Sequence, residues 1–96
     1  MIRQRVVASL RELAVSLGPK ADGTEWHLFG SVARDGPYAM DIDLMILCES
    51  DAQADELRRA INPDALDLPL HLALMTFDEA AEVDAVLVQR SQAIFP

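Results

Sequence analysis

The chain has 96 residues, half of them apolar, and a formal charge of −8 at pH 7. That length supports one hydrophobic core and one domain, expected over residues 1–96, and the even spread of apolar residues excludes a disordered chain. The acidic balance argues against general DNA or RNA binding by this domain alone, because its surface repels phosphates.

Most of the acidic excess follows Gly36: residues 37–96 carry three basic and twelve acidic side chains, against five and four before. Such a charge is also an ordinary route to solubility. The apolar runs Leu44–Cys48 and Leu68–Met75 are strand-length, far short of the roughly 20 residues a membrane span needs. Met1–Arg5 is basic, but Arg11 and Glu12 interrupt any apolar stretch, so no secretory leader is expected. The lone Cys48 sits in an apolar strand and reads as a reduced core thiol. Together these features point to the cytoplasm.

In chain order, Ile2, Val6, Leu10, Leu13 and Leu17 recur at helical spacing, and Gly18-Pro19 ends that helix. Lys20–Thr24 is a polar turn and Glu25–Phe29 a first strand. Ser31 is placed to cap a brief helical turn through Arg34, before the loop Asp35-Gly36-Pro37. Met40–Cys48 is a second strand, with Ile42, Leu44, Ile46 and Cys48 on one face and Asp41, Asp43, Met45 and Leu47 on the other. Ser50 and Gln53 form a capping box that opens a helix to about Ile61, and Asn62-Pro63 stops it. Leu68–Met75 is a third strand. Thr76 and Glu79 cap a helix expected to reach about Arg90, with apolar packing positions at Ala80, Val83, Val86 and Leu87. Ala93–Phe95 closes as a short strand. The pattern predicts an α/β (α+β) domain, a small mixed β-sheet flanked by helices.

Chemistry concentrates between Leu28 and Leu44. Gly30 lacks a Cβ, so the backbone can turn sharply and admit a phosphate; Ser31 adds a hydroxyl, and the following amides form an anion nest. Asp41 and Asp43, two apart on a strand, project to one side and repel unless a cation neutralises them. Mg2+ takes one or two carboxylates together with substrate phosphates.

Phe29-Gly30-Ser31, nine intervening residues and Asp41-Ile42-Asp43-Leu44 resemble the signature of the DNA polymerase β-like nucleotidyltransferase superfamily. Gly30-Ser31-Val32-Ala33-Arg34-Asp35-Gly36 is similar to the form found in its small bacterial branch, the minimal nucleotidyltransferases, and the length fits that branch. The resemblance implies the nucleotidyltransferase fold, with Gly30, Ser31 and Arg34 toward the nucleotide and Asp41 and Asp43 holding Mg2+ or Mn2+. It implies transfer of a nucleoside monophosphate from ATP or another nucleoside triphosphate to a protein or nucleic-acid hydroxyl, with release of pyrophosphate. Many minimal members are antitoxins encoded beside a HEPN-type ribonuclease or a similar toxin, and some silence it by adding AMP. A protein partner of that kind is therefore expected, and a homodimer is compatible with so small a domain.

The third strand departs from the family. Where the usual form is Pro-hydrophobic-Asp-hydrophobic, this chain reads Pro69-Leu70-His71-Leu72, which places His71 at the carboxylate position. Asp67, four residues earlier, is the rival metal ligand. Imidazole binds Mg2+ poorly and Mn2+ or Zn2+ better, and a neutral histidine can serve as a general base; a purely structural strand histidine is the third reading. Two functions follow. One is a transferase using Asp41, Asp43 and His71; the other is a catalytically weak module of the same fold that neutralises its partner by contact. Elsewhere, Trp26 reads as core before base-stacking, and Arg58-Arg59 as a solvated face.

Overall fold

Helix α1 (Ile2–Leu17) buries Val6 and Leu10 of the expected stripe together with Val7 and Ala14, while Leu13 and Leu17 are only partly buried against the core. The structure is a computed structural model that describes residues 2–33, 41–64, 66, 68–88 and 90–95. Helix α1 ends where Gly18 adopts φ +58, a left-handed conformation open to glycine. A 3-10 turn, Gly18–Ala21, follows in place of part of the expected polar turn.

Strand β1 (Glu25–Phe29) has the expected limits. Trp26 and Leu28 are fully buried, so Trp26 is core and offers no face to a base. Its indole N–H donates to Thr24 Oγ1 at 3.0 Å, and that hydroxyl donates to the Ala21 carbonyl at 2.6 Å. The next helical turn, α2 (Gly30–Ala33), begins one residue before Ser31. Ser31 therefore lies within the turn instead of capping it from in front, because Gly30 (φ +76) reverses the chain directly after β1. Arg34, the Asp35-Gly36-Pro37 loop and Met40 lie outside the described residues.

Strand β2 (Ile42–Cys48) splits its side chains as its parity requires. Ile42, Leu44, Ile46 and Cys48 enter the main core, while Met45 and Leu47 join a second cluster on the opposite face. Helix α3 (Asp51–Ala60) is capped by Ser50, whose Oγ accepts from the Gln53 N–H. The Gln53 side chain accepts from the Glu49 N–H and donates to the Lys20 and Asp22 carbonyls, so the cap also anchors the 3-10 turn. Strand β3 (Leu70–Thr76) starts two residues later than Leu68, since Pro69 has no N–H for the ladder; its carbonyl still accepts from the Ile42 N–H.

Helix α4 (Phe77–Glu82) opens on a complete Thr76–Glu79 capping box. The helix expected to run to Arg90 breaks at Val83-Asp84, where Asp84 turns left-handed (φ +51), and resumes as α5 (Ala85–Val88). The break rotates the apolar residues: Ala80 and Ala85 are buried, whereas Val83 is 61% exposed and Val86 also reaches solvent. Packing on the sheet therefore does not account for those two valines. Strand β4 (Gln92–Phe95) closes the chain.

The described strands form one mixed sheet in the order β3-β2-β1-β4. β1 runs antiparallel to β2 and β4, and β2 parallel to β3. Helices α1, α2 and α3 cover one face around Leu10, Val32 and Leu57. On the other face, α4 and α5 contribute Ala80 and Ala85 beside Met45 and Leu47. This is the α+β sheet flanked by helices that the sequence predicts. No helix among the described residues is long and apolar enough to cross a membrane.

Candidate functional site

The site grows from the start of β2, with Asp41 one residue before the strand and Asp43 within it. Because Ile42 and Leu44 are drawn into the core, their neighbours Asp41 and Asp43 must project from the opposite face. Phe29, the last residue of β1, is the register partner of Asp43, so the turn at Gly30-Ser31 begins beside that carboxylate. The approach is close: a Cβ on Gly30 would stand 2.2 Å from Asp43 Oδ2, and the position also has a left-handed φ. The left-handed φ is what favours glycine there, and a Cβ would also push the Asp43 carboxylate aside.

The parallel ladder brings in the third residue. Asp43 pairs with His71, and Leu44 with Leu72, so the imidazole emerges beside the aspartates. His71 Nε2 lies 3.3 Å from Asp41 Oδ2, with side-chain exposures of 62% and 41%. Asp41, Asp43 and His71 each offer a donor atom, all within 4.8 Å of one another. Two carboxylates and one imidazole, open to solvent on one side, suit a divalent cation that keeps positions for water or phosphate oxygens.

The structure thus brings together Gly30, Asp41, Asp43 and His71, with Ser31 adjacent in α2. Arg34 and Asp67 lie outside the described residues. The other histidine, His27, is buried on β1; its ring nitrogens face Glu25 Oε1 at 3.1 Å and Ser91 Oγ at 3.4 Å, which fits a structural role.

Sequence reasoning missed a cavity of about 580 Å³ on the same sheet face, toward the far end of β2. Leu47, Phe77, Ala80, Val86, Arg90 and Ser91 are among its lining residues. Asp84, where the helix breaks, also lines it, and the sequence carries no glycine or proline there to signal the break.

A small mixed sheet with a Gly-Ser turn ending one strand and an Asp-x-Asp pair opening the next defines a nucleotidyl-transferring class of domain. The Nucleotidyltransferase domain family matches residues 7–93, and the chain belongs to that family. Domains of this family use a nucleoside triphosphate and a divalent metal to transfer a nucleoside monophosphate. No curated protein and no solved structure matches the chain.

Proposed function

We propose that this domain transfers a nucleoside monophosphate, AMP in the first instance, from the triphosphate to a protein or nucleic-acid hydroxyl, and that it acts as the antitoxin of a two-gene system. The observation that carries the transferase reading is the convergence of Asp41, Asp43 and His71 beside the Gly30 turn. The antitoxin assignment draws support from the Gly30–Gly36 stretch and its likeness to the minimal branch.

Each residue has a part set by its place. Gly30 lets a triphosphate approach the backbone next to Asp43, and the resemblance assigns Ser31 and Arg34, which follow it in sequence, to the same phosphates. Asp41 and Asp43 supply the negative charge that holds a divalent cation. The cation, when bound, offsets charge on the phosphates and on the oxygens that attack and leave. In the reaction, the acceptor hydroxyl oxygen forms a bond to the α-phosphorus as the bond from that phosphorus to pyrophosphate breaks. The hydroxyl proton passes to water, to which Asp41 and His71 are both open.

His71 in place of a carboxylate favours a second reading, in which nucleotide binding persists but turnover is weak and the partner is neutralised by contact. One experiment separates the two. The protein is incubated with α-labelled ATP, Mg2+ or Mn2+, and the product of the gene encoded beside it; the assay is repeated with Asp41→Ala/Asp43→Ala, and ATP binding is measured in parallel. The enzyme reading expects label on the partner that disappears in the double variant. ATP binding without transfer under either metal would leave the contact module, and absence of both would overturn the two readings together.

A further inference from the structure

Building on the proposal that Asp41 and Asp43 hold the divalent cation, we infer that His71 is a third ligand and makes the site selective for a first-row transition ion, Mn2+ through Zn2+, over Mg2+. The parallel register comes first. With Leu44 paired to Leu72 and Asp43 to His71, a strand period of two leaves His71 on the carboxylate face. Its Nε2 is directed at Asp41 Oδ2, the position of a shared ligand. The 4.8 Å spread of the three donor atoms is close to twice a metal–ligand bond of about 2.2 Å, so small side-chain rotations bring all three to one ion.

The two histidines of the chain make a useful contrast. His27 is buried with both ring nitrogens facing polar partners, as a structural histidine should be. His71 is largely exposed, and its ring nitrogen instead faces an aspartate of the trio. Burial and core packing therefore do not explain it.

Selectivity follows from the donor set. Mg2+ is hard, prefers oxygen and gives up its water reluctantly. Imidazole nitrogen suits later first-row ions, whose affinities rise from Mn2+ to a maximum at Cu2+ and fall again at Zn2+. Replacing one oxygen donor by nitrogen weakens the Mg2+ site and leaves the transition-ion site intact or stronger.

The test is metal binding, read without turnover. Mn2+ is titrated into the protein and followed by the loss of the free-ion electron paramagnetic resonance signal, with Mg2+ and Zn2+ as competitors. Wild type is expected to bind Mn2+, to release it to Zn2+, and to release it to Mg2+ only at a large excess. His71→Ala should weaken Mn2+ binding about tenfold or more, the scale seen even for loss of an outer-shell partner, while Mg2+ affinity changes by no more than about twofold. His71→Asp should shift preference toward Mg2+. Unchanged Mn2+ binding in His71→Ala would overturn the proposal, as would equal losses for both metals, or a loss seen in Asp67→Ala and not in His71→Ala. Asp41→Asn tests the underlying reading separately: if it leaves Mn2+ binding intact, the carboxylate pair is not the metal site at all.

Discussion

Gly30 and Asp43 contend for one volume: a Cβ on Gly30 would stand 2.2 Å from Asp43 Oδ2. The smallest side chain therefore displaces a carboxylate of the candidate site, and it must also adopt φ +76. Gly30→Ala should lower stability in urea by about 1–2 kcal/mol, the cost of a left-handed non-glycine residue, and should weaken Mn2+ binding as well. A variant with full stability and unchanged Mn2+ affinity would show that the turn tolerates a side chain.

The Thr24 hydroxyl is a relay, donating to the Ala21 carbonyl and accepting from the buried Trp26 indole. Thr24→Val keeps the shape and leaves the indole N–H without that partner, so it should destabilise by about 1–3 kcal/mol. Thr24→Ser should lose less, because it retains the hydroxyl. Denaturation midpoints for the pair would decide between a hydrogen-bonding and a packing role.

Burial pushes the Cys48 thiol up to about 11, against a smaller opposing effect of Arg58. Only the thiolate reacts readily, and on the order of one thiol in a thousand is ionised at pH 8 in the folded chain. Iodoacetamide at pH 8 should therefore label Cys48 slowly in the native protein and fast in urea. Rapid native labelling would mean that this end of β2 opens easily.

In the capping box, Glu79 accepts from the Thr76 N–H at 2.9 Å. The backbone and side-chain hydrogen bonds with Thr76 hold its pKa below the ordinary glutamate value. A lowered folded pKa means that the folded state binds fewer protons than the unfolded one. The stabilisation is therefore present above the unfolded glutamate pKa and is lost as pH falls through the folded value. Glu79→Gln preserves the capping geometry, so its stability should lie below wild type near neutral pH and converge with it in acid. A gap that is constant across pH would assign the effect to something other than ionisation.

How far the chain could be read beforehand depends on what kind of information each feature needs. The limits of α1, β1 and α3 were legible because local chemistry sets them: apolar spacing, Gly18 at a left-handed cap, and the Ser50 hydroxyl on the Gln53 amide. The break at Asp84 was not legible. Val83 and Val86 continue a helical apolar spacing, and no breaker intervenes. Burial of Ala85 beside Leu47, and the return of the chain to lay β4 against β1, impose the turn from outside the segment.

The site divides in the same way. From residue types and strand parity alone, Asp41 and Asp43 had to share a face, because that follows from alternation along one strand. That His71 stands beside them depends on pairing between strands more than 25 residues apart, which local spacing does not carry. The parallel register of β2 with β3 sets Asp43 against His71 and brings Nε2 to 3.3 Å from Asp41. Ladder hydrogen bonds and the inward packing of Leu44 and Leu72 hold that register, so it is the sheet that places His71 beside the two aspartates.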